Sequence, residues 1–125
     1  MNNRYEGIGG ENIAVRYMQE QGMTIVERNY STPQGEIDVI ATEGEYLVFC
    51  EVKARHSRTM GYAVEAVTPA KITQIVRTAD WYLKSKRRMS CDVRFDIAAV
   101  DLDKETVEYT RNAFCRNDAG RRNHW

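Results

Sequence analysis

Residues 35–55 read GEIDVIATEGEYLVFCEVKAR, and the period of this stretch decides the architecture. Glu36 to Ala41 and Tyr46 to Ala54 alternate as two strands, joined across TEGE as a tight hairpin. Alternation sets Glu36 and Asp38 on one face with Ile40, and Ile37, Val39 and Ala41 on the other. In the second strand Phe49, Glu51 and Lys53 share a face, opposite Val48, Cys50 and Val52. A loop of Gly44-Glu45 places Asp38 across from Glu51 and Glu36 across from Lys53, whereas a loop of Glu43-Gly44 places Glu36 across from Glu51. Both registers keep the four charged side chains on one face. A three-residue loop sends the two pairs to opposite faces.

Outward from the hairpin the elements alternate in type. A helix is expected from about Glu11 to Gln21, with Ala14, Tyr17, Met18 and Gln21 at helical spacing, Gly9-Gly10 before it and Gly22 as its stop. A strand runs from Met23 to about Tyr30 and ends in STPQG. After the polar stretch RHSRTMGYA, Thr68-Pro69 starts a second helix whose apolar stripe is Ile72, Ile75, Val76, Ala79, Tyr82 and Leu83. Asp92–Leu102 and Thr106–Asn112 read as strands around an Asp-Leu-Asp-Lys turn. The order is α-β-β-β-α-β-β, a mixed sheet of about five strands flanked by helices, with a parallel pair where the second helix crosses over. No repeat or linker divides the chain, so residues 1–114 form one domain and 115–125 a short basic tail.

Composition narrows the function classes. With 42% hydrophobic residues, 2 Pro and 8 Gly in 125 residues, the chain suits one globular domain and not a disordered one. YLVFC and IAAV, the longest apolar runs, fall far short of the roughly 20 residues of a membrane span, and the N-terminus MNNRYE lacks an export pattern. A cytoplasmic protein with no membrane partner is expected. Cys50, Cys91 and Cys115 are odd in number and contain no CxxC, which argues against a disulfide framework or a thiolate zinc site. The net charge of zero conceals an asymmetry: residues 1–50 carry 3 basic and 8 acidic side chains, residues 51–125 carry 15 and 10, so −5 is followed by +5. The excess gathers at Lys84, Lys86, Arg87 and Arg88 and at Arg111, Arg116, Arg121 and Arg122, either solvated segments or a rim facing a polyanion.

Two carboxylates side by side repel unless a proton or a cation neutralises them. Magnesium suits such a pair: it prefers oxygen ligands, takes one or two carboxylates and leaves its other positions to water and substrate phosphate. Lys53, two residues after Glu51, points the same way and can meet a phosphate oxygen or a metal-bound water. That is the equipment of metal-assisted phosphodiester hydrolysis.

The same residues resemble the Asp…Glu-x-Lys signature of the PD-(D/E)XK, or restriction-endonuclease-like, nucleases. The wider chain, through GGENIAVRYMQEQGMTIVERNY, GEIDVI, FCEVKAR, GYAVEAVTPAKITQI and RFDIAAV, resembles the YraN family of uncharacterised bacterial proteins, which are similar to archaeal Holliday-junction resolvases. The resemblance implies a restriction-endonuclease-like core, Asp38 and Glu51 as ligands of Mg2+ or Mn2+, Lys53 as catalytic lysine and Glu11 as the acid of the first helix. It also implies a DNA substrate, branched DNA first, and a homodimer, because a four-way junction needs two paired cuts. No organic cofactor is implied. Ile37 stands where the named signature has Pro, a departure the signature tolerates.

Each residue also has a plainer reading. The hairpin charges can be cross-strand salt bridges on a solvated face. Glu11 lies in line with the apolar stripe, so its carboxylate is paired, metal-bound, at the rim, or simply a favourable acid in a first helical turn. Glu36 can bind a second metal, pair with Lys53 or shape the pocket. Lys71 can reach a phosphate or flank the core stripe, and Arg55, His56 and Arg58 can contact the DNA backbone or solvent, as can Lys86, Arg87 and Arg88. Trp81, Tyr82, Phe49 and Phe95 fit core or near-core positions, and Arg94 can pair with Asp96 on its own strand face. The rival function is a nucleic-acid-binding or partner-binding module that keeps this fold with little or no turnover. A carboxylate-pair glycoside hydrolase is weaker, because Lys53 and the basic second half favour phosphate.

Overall fold

The central hairpin closes through Gly44-Glu45, with Glu43 paired to Tyr46 and Val39 to Cys50, in the computed structural model, which describes residues 3–58, 67–88 and 90–118 (of 3–6 the backbone alone). Gly44, at φ +58°, supplies the positive dihedral that a two-residue hairpin loop needs at its first central position. The elements are α1 (Asn3–Glu20), β1 (Thr24–Thr32), β2 (Gly35–Glu43), β3 (Tyr46–Arg55), α2 (Pro69–Ser85), β4 (Asp92–Asp101) and β5 (Thr106–Phe114). The sheet order is β1-β2-β3-β4-β5, antiparallel except for β3 and β4, the parallel pair that α2 connects.

A helix covers each face of the sheet. Ala14, Val15 and Met18 of α1 pack on Val39, Ala41, Val48, Cys50, Ala98 and Val100. Ile75, Val76, Ala79, Tyr82 and Leu83 of α2 pack on Ile40, Leu47, Phe49, Phe95 and Ile97. The alternation of β3 and β4 is therefore real, but both of its faces are buried. α2 begins as expected: Thr68 caps it by accepting the Lys71 N–H, and Pro69 occupies the first turn. Trp81 departs from expectation. It is 47% exposed, because it falls between the turns of the stripe whose Tyr82 is buried.

α1 begins well before Glu11. Gly9 and Gly10 are helical, not the break expected of them, and the reason for Gly10 is tertiary: a Cβ there would lie 2.6 Å from the Ala54 Cβ of β3. The glycine lets helix and strand touch. Gly10→Ala is expected to lower stability by about 1–2 kcal/mol in urea unfolding, since overpacking outweighs the helix propensity gained; a more stable variant would show that the contact is slack. The far end of α1 follows its sequence: Gly22 adopts φ +97°, Met23 N–H reaches Met18 O and Gly22 N–H reaches Gln19 O, a Schellman end.

On the α1 side a polar network ties β4 to β2 and β5. Arg94 donates to both Asp96 oxygens at 2.9 Å and to Glu43 at 2.7 Å, and Asp96 also accepts from Tyr109 Oη at 2.6 Å and from Asn112 N–H at 2.9 Å. Arg111 closes the circuit with two bonds to Glu43. These bonds, Arg111's first and then Arg94's, hold the Glu43 carboxyl at about 2, below its ordinary 4.5. Because the folded value is the lower one, Glu43 stabilises the fold above pH 4.5 and ceases to as pH falls toward 2. Glu43→Gln should flatten that acid limb in melts taken across the same window; an unchanged limb contradicts the assignment.

After β5, Arg116–Asp118 form a 3-10 turn, and Arg116 pairs with Asp80 of α2. The expected tail thus starts with a segment tied to the domain, while Arg121, Arg122 and His124 lie outside the described residues. Among the described residues no helix is long and apolar enough to cross a membrane.

Candidate active site

β2 and β3 stop pairing at Val39 and Cys50, and the candidate residues stand where the strands part. Asp38 Oδ2 accepts the Val52 N–H at 2.8 Å, replacing on that side the donor–acceptor pair of a continued ladder. The alternation of β2 breaks at this residue. Ile37 packs with Ile40 on the α2 side, while Val39 and Ala41 pack on the α1 side, so Ile37 does not share a face with them as its position in the strand suggested. On β1, Asn29 at φ +54° marks the same level.

Of the two registers open to the hairpin, the one that sets Asp38 across from Glu51 is found, although the ladder itself ends one pair earlier. Burial, with the Glu51 charge beside it, pushes the Asp38 carboxyl from 3.8 up to about 8. Glu51 is 5% exposed and faces two ammonium groups, Lys53 Nζ at 3.4 Å and Lys71 Nζ at 3.6 Å. Lys71 stands in the first turn of α2, whose start beside the C-terminal half of β3 follows from the parallel crossover. The carboxylate pair, Lys53 and Lys71 therefore share one pocket.

Glu11 is 8% exposed on α1, and its charge adds to the shift at Asp38. It is held by Arg28 Nε at 2.9 Å and Asn29 Nδ2 at 3.0 Å. Two consecutive strand residues reach one carboxylate because the left-handed dihedral of Asn29 interrupts the alternation of β1. Neither residue stands out in the sequence; the only signal is an Asn in mid-strand, a residue suited to positive φ.

Other candidates lie elsewhere. Glu36 is exposed and accepts from Ser31 Oγ at 3.1 Å; the register that would set it across from Lys53 ends before reaching it. Arg55 Nη1 donates to the Ala54 carbonyl, and Arg58 is exposed. His56 and Ser57 clamp the end of β3 to the β4–β5 turn through Asp103 and Asp101. Lys86, Arg87 and Arg88 lie at the opposite end of α2 from Lys71, about 22 Å along the helix, and Lys86 stands over the Tyr82 ring. GYAVEA, part of the family-like stretch, falls at 61–66, outside the described residues.

Among the described residues no three His, Cys, Asp or Glu side chains form a metal-binding group. Asp38 and Glu51 alone still fit a hard divalent cation, because magnesium and manganese take oxygen donors and magnesium is commonly held by one or two carboxylates, with water and phosphate oxygens completing its shell. Binding there requires Asp38 to release its proton.

The chain matches the model of the uncharacterised protein family UPF0102 over residues 10–100, which takes in the second half of α1, β1, the hairpin, α2 and most of β4. It is 44% identical to a UPF0102 protein of Syntrophotalea carbinolica over 110 residues, 86% of this chain and 89% of that one. A Desulfosudis oleivorans relative is 43% identical over 89% of this chain and 90% of its own, and one from Dictyoglomus thermophilum is 39% identical over 91% and 100%. With the motifs quoted from the hairpin and both helices inside the matched region, the chain belongs to the UPF0102 family, the YraN family that its sequence resembles.

Proposed function

We propose that this chain is a metal-dependent endonuclease hydrolysing phosphodiester bonds in DNA, with Mg2+ or Mn2+ held by Asp38 and Glu51. The observation that carries the reading is the carboxylate pair at the parting of β2 and β3, Glu51 buried and Asp38 half-buried, with two lysines beside Glu51. A divalent metal bound there supplies Lewis-acid polarisation of the phosphate and an acidified water. Val52 N–H fixes the Asp38 carboxylate once its proton has left. Lys53, which faces Glu51 at 3.4 Å, would be free to hold the attacking water or offset charge on a phosphate oxygen were that carboxylate taken by a cation. Glu11, fixed by Arg28 and Asn29, keeps the pocket acidic and favours cation entry. Branched DNA is the first substrate to test, and two copies of the chain would make the paired cuts of a junction.

One observation favours the rival, a DNA- or partner-binding module with little or no turnover: Glu51 is already faced by two lysines and Asp38 keeps its proton at neutral pH, so the pocket is balanced without a cation. Purified protein on junction, flap, duplex and single-stranded DNA, with Mg2+, Mn2+ or a chelator, separates the two. Cleavage that the chelator abolishes supports the nuclease. Binding without cleavage of any form under either metal leaves the rival in its place.

A further inference from the structure

A groove of about 470 Å3 runs along the outside of α2 from Lys71 toward Arg77, and its other wall is the β1–β2 turn at Gln34. Lys71, Gln74 and Arg77 recur every three residues, a row about 9 Å long on one side of the helix. Thr68 adds a hydroxyl, that of Thr73 being given to the Pro69 carbonyl, and among the described residues no acidic side chain lines the groove. The turn is pressed close to the helix. Gly35, at φ +149°, leaves no room for a side chain, since a Cβ there would lie 2.5 Å from Gln74 Cγ.

Arg77 differs from the cations beside the candidate site. Arg28 pairs with Glu11, and Lys53 and Lys71 face Glu51. Arg77 is exposed and makes no ion pair among the described residues. Lys71 belongs to both places: its Nζ faces Glu51 at 3.6 Å while its side chain lines the groove. A cation without an ion pair among the described residues, two amides and the Thr68 hydroxyl, beside a lysine that touches the candidate site, match the chemistry of a sugar–phosphate backbone, which is held by charge and by neutral donors alike.

We infer that this groove is the track that seats the phosphate backbone of the DNA strand next to the scissile bond, with Arg77 and Gln74 from α2 and Gln34 from the facing turn as its positioning contacts. The inference rests on the nuclease reading of the Asp38–Glu51 pocket and extends it to the residues that hold the substrate. It also assigns the basic cluster at the far end of α2, Lys86 to Arg88, no part in seating that strand.

The test measures binding of a fluorescein-labelled DNA junction by anisotropy in calcium-containing buffer across a salt series, for wild type, Arg77→Ala, Gln34→Ala and Arg87→Ala, with cleavage measured separately in magnesium. Arg77→Ala should weaken binding about tenfold and lower the salt slope by about 1. Gln34→Ala should weaken binding several-fold with the slope unchanged, and Arg87→Ala should match wild type. Arg77 and Gln34 are surface residues, so matching thermal melts will show that each variant is folded. Wild type that binds and cleaves, with Arg77→Ala indistinguishable from it, overturns the groove assignment and leaves the nuclease reading standing. Wild type that binds through Arg77 and Gln34 but never cleaves sinks the nuclease reading and keeps the groove as a DNA contact. No binding by wild type removes both.

Discussion

Asp38→Asn is expected to make the metal-free protein more stable and, on the proposed nuclease reading, to abolish metal-dependent cleavage. Asp38 retains its proton up to about pH 8 in the fold but has an ordinary value of 3.8. The folded value is the higher one, so its effect on stability is sign-reversed relative to Glu43: the fold loses stability as pH rises from about 4 to 8, where the unfolded chain releases a proton that the folded chain keeps. Asparagine removes the titration while preserving an oxygen that can accept the Val52 N–H. Urea unfolding at pH 8 in chelator should show a gain of about 2 kcal/mol, and the gain should vanish near pH 4. Mn2+ affinity should fall at least about 100-fold, because a carboxylate ligand is lost. A variant that is destabilised at both pH values, or that binds Mn2+ as wild type does, contradicts this account of the pocket.

The largest loss of stability is expected at Asp96, outside the pocket. Asp96 is fully buried on β4 and accepts two bonds from Arg94, one from Tyr109 and one from the backbone of Asn112. Asp96→Ala leaves the Asn112 N–H without its acceptor and the Tyr109 hydroxyl with the weak Met23 Sδ at 3.7 Å, and it strips Arg94 of its bidentate partner, with Glu43 remaining. Breaking a buried pair in this way costs about 3–5 kcal/mol, a large part of the 5–15 kcal/mol typical of a domain. The midpoint of urea unfolding should fall accordingly with its slope unchanged. Since Cys50 pairs with Asp96 in the parallel ladder one residue before Glu51, any cleavage should be lost at temperatures that wild type tolerates. A cost under about 1 kcal/mol would mean that the network is replaceable by solvent.

Local signals carried the parts of this fold that depend on neighbouring residues. TEGE contains a glycine where a two-residue loop needs positive φ, and that loop set Asp38 across from Glu51. Thr68-Pro69 and the period of Ile75, Val76, Ala79, Tyr82 and Leu83 placed α2, and the apolar β4 implied the parallel pair. What the sequence could not carry depends on distant partners. Gly10 looks like a helix breaker until Ala54 is seen beside it. Ile37 leaves its expected face because β2 is distorted where it parts from β3, and Arg28 and Asn29 reach Glu11 only because β1 kinks at the same level. Trp81 illustrates a different limit: size and hydrophobicity suggested burial, and helical phase decided against it.

On the proposed reading, Asp38, Glu51 and Lys53 together hydrolyse a phosphodiester bond in DNA. Single-turnover cleavage of a four-way junction in Mg2+, with wild type and Lys53→Ala purified side by side, tests it most directly. Lys53 is 20% exposed and its ammonium stands beside Glu51, so alanine should leave the protein folded and slow cleavage by about 10²–10³-fold. Wild type that leaves the junction intact, or cleavage equally fast in both proteins, would contradict the claim.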